Sequence, residues 1–460
     1  MNIYLLILVL GIISTVSFVY GRKKALMSVK GQISQLHSLP SHYGWYAAMV
    51  GLVPGLFILV VWIIFGSTVI DKMVLSRMAE TVQSMSRFEV NILMNDIRNL
   101  AAGDAISGPA TPELRDAADY FNHISKSTFT VVSLSAISVT ALFTAFGIYR
   151  IDPELRSRNR LESFILFSLV ACSVIAILTT IGIVSSLVFE TMRFLEKVPL
   201  SEFLFGLQWS PQTALRADQV GSSGSFGAIP LITGTLLITF IALLVAAPVG
   251  LLSAVYMTEF ADRKTRGFFK PLLEILAGIP TVVYGFFAAL VVAPAIRNTG
   301  DLVGLEIASE SALAAGIVMG IMIIPLMSSL SDDVISAVPQ SLRDGSYGLG
   351  ATKTETILNV ILPAALPGIV SAFLLAASRA IGETMIVVMA AGMAANLTAN
   401  PLEAVTTVTV QIVALLTGDQ EFDSAKTLSA FALGLALFII TLSLNFLALY
   451  VVRKYREQYD

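Results

Sequence analysis

Charge is scarce in this chain. Asp, Glu, Lys and Arg make up 13% of its 460 residues, about half the share of an ordinary soluble domain. That excludes a soluble globular protein. Cysteine is almost absent: Cys172 stands alone inside an apolar run, so there is no disulfide framework. The three histidines, His37, His42 and His123, are scattered without metal-ligand spacing. No metal site, no cofactor and no catalytic residue are expected. The chain also lacks GxxxxGK[ST], the phosphate-cradling loop of nucleotide-driven enzymes. If ATP drives it, a partner supplies the ATPase. The net charge of -3 says little about partners, and none made of nucleic acid is expected. What is present is apolar: 55% of the residues are hydrophobic, and the mean hydropathy is +0.80. The apolar runs reach the ~20 residues that span hydrocarbon. They are continuous, so they read as helices in membrane lipid and not as the alternating strands of a barrel. The expected class is an all-α integral membrane protein with about nine transmembrane helices.

Basic residues give the expected topology. Met1–Tyr20 is apolar, with Arg22, Lys23, Lys24 and Lys30 after it. A cleaved signal peptide carries its positive charge first, so this segment reads as an uncleaved helix with its N-terminus outside. Tyr43, Trp45 and Tyr46 form an aromatic belt before the span Ala47–Phe65. Asp71–Lys126 is polar and helix-forming, broken by GDAISGPATPE before a short second helix. It is placed outside, either as a solvated linking hairpin or as a sensory or partner-binding module. Further spans are expected at Thr128–Tyr149, Ser163–Phe189, Ile229–Met257, Pro271–Ala295, Ala312–Ser331, Pro363–Met393 and Leu428–Val452. Arg150, Arg156, Arg158 and Arg160, then Arg263, Lys264, Arg266 and Lys270, mark cytoplasmic loops. So does the C-terminal tail with Arg453, Lys454 and Arg456. Glu190–Ala228, ending in a flexible GSSGSFGAIP, Arg297–Ser309 and Ala394–Lys426 fall outside. Residues 1–160 read as an added N-terminal module of about three spans, with 71–126 external. Residues 161–460 form a working core of six.

Three constellations carry possible chemistry. The first is cytoplasmic, DGSYGLGATKTETILNVILP, within residues 341–363. It reads as helix, bend and helix: Ser341–Leu349, then Gly350 for the permissive backbone, then Thr352–Ile361. Pro363 and Pro367 start a membrane helix, where a missing N–H costs least. Such a pair either docks in a partner's groove or is an ordinary connection. The second is Arg379 and Glu383, mid-span in LLAASRAIGETMIVV. Their i,i+4 spacing places both on one face of a helix. Charge there costs at least ~3 kcal/mol on insertion scales. Arg379 either faces an anion in a pathway, with Glu383 orienting or releasing it, or the two form a self-neutralising pair that holds helices together. Gly382 would admit a close approach. The third is LLEILAGIPTVVYGFF, whose Glu274, Gly278, Pro280 and Gly285 suggest either a bent or a broken helix.

These residues carry a resemblance. The first stretch is similar to the EAA loop of ABC importer permeases. Asp344-Gly345-Ser346 stands for the EAA triplet, and Gly350 and Leu362-Pro363 keep their places. Val360 replaces Ile. Arg379-Ala-Ile-Gly382-Glu383-Thr384 and ILAGIPTVVYGFFA resemble segments of phosphate-specific permeases. LHSLPSHYGWYA resembles the N-terminal extension of longer PstC-type members. The resemblance implies a type I importer core of six helices in the cytoplasmic (inner) membrane. It implies a PstA-type partner permease, two copies of a PstB-type cytoplasmic ATPase on the loops, and an external phosphate-binding protein of the PstS type. It also implies a role for Arg379 and Glu383 in moving phosphate, with Gly382 and Thr384 in the same motif. Another oxyanion such as sulfate or phosphonate, or a chiefly signalling role, are the other readings.

Overall fold

The computed structural model describes residues 3–78, 85, 87–106, 109, 111–213, 223–302, 304–305, 307–417 and 423–455. Among them are nine helices long and apolar enough to cross a membrane. The chain divides into two compact units, Met1–Ile177 and Leu178–Asp460.

In the first unit α1 (Ile3–Ser28), α2 (Pro40–Arg77) and α4 (Pro112–Tyr149) pack along one another. Close approach is written into α2 as Gly51-Leu-Val-Pro-Gly55. A Cβ on Gly51 would overlap Thr144 Oγ1 of α4, and one on Gly55 would overlap Thr140 Oγ1. Hydrocarbon gives helices no hydrophobic drive to associate, so van der Waals contact between small residues replaces it. Gly55→Leu is therefore expected to separate α2 from α4. Its measurable consequence is at least a several-fold lower membrane level and faster proteolysis between the two helices.

The polar segment differs from expectation. No short second helix stands before the third span: Pro112 starts a single helix that runs through to Tyr149. Thr111 caps it by accepting from the Leu114 N–H at 3.3 Å, so no breaker falls between polar and apolar parts. α3 (Arg87–Ala102) lies against the polar ends of α2 and α4. Ile70, Val74, Met94, Ile97 and Leu114 form the small core there. α5 (Ser157–Leu195) contains the boundary between the units.

The second unit continues with α6 (Leu200–Phe205) and a two-stranded antiparallel hairpin, β1 (Trp209–Thr213) and β2 (Ser223–Phe226). Part of the Gly/Ser stretch expected to be flexible is therefore strand. Phe226 holds it by packing edge-on against Phe194 and Trp209. Residues 221–222 of that stretch lie outside the described residues. α7 (Ile229–Val255) and α11 (Ala312–Ser336) form the central seam of the large core.

The span expected at Pro271–Ala295 is broken and not merely bent. α8 (Arg263–Ala277) ends at Gly278, and Pro280 precedes α9 (Thr281–Phe287). Pro280 has no N–H to give a continuing helix, and its ψ of 138° turns the chain out of helix. A π-turn at Ala288–Val292 then leads into α10 (Ala293–Leu302), and the membrane-length segment is Thr281–Leu302. α12 (Gln340–Gly348) and α13 (Lys353–Thr356) follow α11. The span expected at Pro363–Met393 is also interrupted. α14 (Leu362–Ile381) stops, and α15 (Met385–Ala390) begins after a break at Gly382–Thr384. α16 (Val408–Leu416) and α17 (Ala425–Tyr455) complete the unit. α16 is a buried apolar helix inside a stretch that composition reads as an external loop.

Candidate functional site

The segment expected to dock a partner has the helix, bend and helix read from sequence, and it is anchored as sequence did not reveal. Gly350 takes φ +87°, a conformation that side chains rarely adopt, and so turns α12 into α13. Thr352 and Glu355 form a capping box at the start of α13. A π-turn at Ile357–Ile361 joins α13 to α14, and Leu362 and Pro363 open α14 with the proline in its first turn. The extra residue of the π-turn falls just before two prolines that cannot donate to the helix ladder.

In the triplet, Asp344 accepts from Gln340 Nε2 at 3.1 Å. Gly345 faces open space. Ser346 is buried, its hydroxyl 2.8 Å from that of Thr356. At the tip Leu349 is 92% exposed, an apolar side chain offered outward beside the Gly350 bend.

The residue before the triplet holds the segment to the bundle. Arg343, with a side chain 10% exposed, donates to Glu259 Oε1 at 3.0 Å and to the Ile335 carbonyl at 2.9 Å. It also donates to the Val338 carbonyl. Glu259 is 7% exposed and sits in the π-turn Tyr256–Phe260 that ends α7. α12 is thus pinned to the ends of both central helices. Glu259 and Arg343 are far apart in sequence, and their reversed charges were the only hint of it.

Arg379 and Glu383 do not share a helix face. Arg379 lies in the last turn of α14, and Glu383 lies beyond its end. Glu383 Oε1 instead accepts the Met385 N–H at 3.0 Å and the Ile386 N–H at 3.4 Å, capping α15. The Glu383 carbonyl accepts from Thr409 Oγ1 at 2.8 Å, tying the break to α16. Among the described residues there is no Arg379–Glu383 ion pair. A Cβ on Gly382 would meet only the carbonyls of Ser378 and Arg379, at 3.7 Å, so nothing in this chain approaches it closely. Thr384 precedes α15, and its side chain makes no cap. Arg379 itself is exposed.

Arg379 also lines a cavity of about 260 Å³ with Lys270 and Glu274 of α8 and Met322, Ser328 and Asp332 of α11. Asp332, 2% exposed, accepts from Lys270 Nζ at 2.9 Å, from Arg266 Nη2 at 2.9 and 3.0 Å, and from Thr258 Oγ1 at 2.6 Å. In sequence Arg266 and Lys270 mark only a basic loop. At the start of α8, the Thr265 hydroxyl and N–H hold the Asp262 carboxyl below the usual carboxylate range. Among the described residues no cluster of side chains could hold a metal ion.

Two family models match this chain. Residues 6–179 match one described as a phosphate ATP-binding cassette transporter, and residues 246–457 match the inner membrane component of binding-protein-dependent transport systems. A PstC phosphate transport system permease of Haemophilus influenzae is 35% identical over 250 residues, covering 50% of this chain and 78% of that one. The chain belongs to the PstC family of ABC importer permeases. The PstC protein of Mesorhizobium japonicum is 32% identical, covering 55% of this chain and 78% of its own length. A probable ABC transporter permease of Bacillus subtilis, YqgH, is 34% identical over 59% of this chain and 84% of its own length. As a PstC-family permease the chain is a multi-pass inner-membrane subunit of a transporter, not an enzyme. An ABC permease works with ATPase partners and a substrate-binding protein.

Proposed function

We propose that this permease moves inorganic phosphate inward, powered by an ATPase bound at Asp344–Pro363. The observation that carries this reading is Arg379: a guanidinium on a membrane helix, without an ion-pair partner among the described residues, lining a cavity. Its planar fork suits a tetrahedral oxyanion. Facing hydrocarbon, such a charge costs several kcal/mol, roughly 3 or more. A second permease subunit of the PstA type, or water between the two, therefore covers that face. Two PstB-type ATPase copies engage the docking loops, with Leu349 in the groove. A PstS-type binding protein delivers phosphate from outside.

In this reading residues 161–460 are the permease core and 1–160 an added module, with 71–126 outside. The N-terminus is outside and the C-terminus cytoplasmic, because the basic clusters fall on one side. ATP closes the ATPase dimer, α12 moves with it, and the gate turns outward. Phosphate passes Arg379, with Glu383, Gly382 and Thr384 holding the break beside it. The site is weak, since tight binding would trap the ion.

Uptake of radiolabelled phosphate by vesicles holding the whole transporter tests this. Phosphate is expected to accumulate with ATP, and a 100-fold excess of sulfate or phosphonate to leave at least half of the rate. Loss of the signal to sulfate would reassign the substrate to another oxyanion.

A further inference from the structure

The cavity beside Arg379 holds more cation than its buried carboxylate needs. Arg266 reaches both carboxylate oxygens of Asp332 through one nitrogen, and Thr258 adds a hydroxyl. Lys270 is the surplus cation. One of its ammonium protons goes to Asp332, and Lys270 makes no second hydrogen bond among the described residues, although the Glu274 carboxylate lines the same cavity. Lys270 lines the cavity; so does Ser328, which is 0% exposed and whose Oγ has no hydrogen-bond partner. A buried hydroxyl left unpaired costs about 1–3 kcal/mol, so a ligand that pairs it recovers that cost. The volume of about 260 Å³ is more than ten times the ~15 Å³ that one water needs. Among the lining residues Lys270 and Arg379 balance Asp332 and Glu274 at formal charges; Arg266, paired to Asp332 but not itself in the lining, brings the group to one net positive charge.

The place of these groups matters as much as their charge. Asp332 lies about one turn from the end of α11 that leads into the docking helix. Arg379 lies in the last turn of α14, away from the docking end where that helix starts. One cavity touches both.

Resting on the phosphate reading above, we propose that the part of this cavity at Lys270 and Ser328 is a second oxyanion site, nearer the docking end than Arg379, in which those two side chains bind the ion. Asp332 is the positioning residue. It holds Lys270 extended into the cavity when no ion is there, and it takes the ammonium back when the ion leaves. That exchange keeps the site weak: each arriving ion competes with a carboxylate already in place. No bond is made or broken.

The test uses the complete transporter with Ser329→Cys as a reporter, since Ser329 lines the cavity and is exposed. Cys172→Ser removes the chain's other thiol. An anionic methanethiosulfonate is applied from the ATPase side, with inorganic phosphate or chloride at equal ionic strength. Phosphate is expected to slow labelling at least 5-fold. Lys270→Gln should abolish this protection and Lys270→Arg should keep most of it. If Lys270 served only to neutralise Asp332, the double variant Lys270→Gln/Asp332→Asn would regain protection; we expect that it does not. Full protection in the double variant, or none in the parent, overturns the proposal, and the parent result decides even if a variant fails to assemble. Phosphate uptake without protection of the reporter thiol removes the second site and leaves the phosphate reading standing. Protection without uptake does the reverse.

Discussion

Arg379→Ala is expected to lower phosphate uptake by at least about 100-fold while the protein stays in the membrane. Two charge-assisted hydrogen bonds to an oxyanion, each worth ~1.5–3 kcal/mol, account for a loss of that size, because ~1.4 kcal/mol is tenfold. Membrane level should hold, since Arg379 forms no ion pair with the rest of the described chain and is itself exposed. Arg379→Lys should fall between the two, because an ammonium keeps the charge and loses the fork. Uptake rates are compared at equal amounts on an immunoblot. Normal transport by both variants would mean that Arg379 is structural, and the substrate would then rest on family membership alone.

Arg343→Met should separate ATP hydrolysis from transport. It strands Glu259 at 7% exposure, and removing one partner of a buried pair costs ~3–5 kcal/mol. It also takes the guanidinium away from the carbonyls of Ile335 and Val338, at the turn between α11 and α12. The docking helix then loses its hold on the bundle. We expect uptake to fall at least 10-fold, with hydrolysis by the assembled complex retained or raised. The double variant Glu259→Gln/Arg343→Gln removes the stranded charge and should recover part of the uptake. Wild-type uptake by Arg343→Met, or equal loss of hydrolysis and transport, would show that this pair does not couple the two.

Much of this was legible in the chain. Apolar runs of membrane length, separated by basic clusters, give the number of spans because hydrocarbon forces each backbone to pair within its own helix. The helix, bend and helix of residues 340–361 were legible because Gly350 and Pro363 act locally, through φ and through a missing N–H. The breaks were less so. Gly278-Ile-Pro280 and Gly382-Glu383-Thr384 both lie inside apolar runs, and hydropathy is blind to a turn whose polar groups are satisfied within the protein. Glu383 shows the cost of assuming regular helix: i,i+4 spacing put it beside Arg379, but its carboxylate caps the next helix. The contacts of Asp332 and of Arg343 were legible in nothing beyond the opposite signs of their charges. Each joins residues distant in the chain, and a lysine that faces the cytoplasm looks the same in sequence as one that lies against a buried aspartate.

The direction of these pairings bears on how the chain is made. Arg266 and Lys270 precede Asp332, and Glu259 precedes Arg343. Synthesis runs from the N-terminus, so the two cations are in place before the carboxylate that needs them leaves the ribosome. α11, the most enclosed of the spans, thus arrives after α7 and α8 have been laid down. Its acidic end need never wait unpaired at the bilayer. Arg343 then joins the ends of the central pair when all of its acceptors already exist, before the helices from Leu362 onward complete the core.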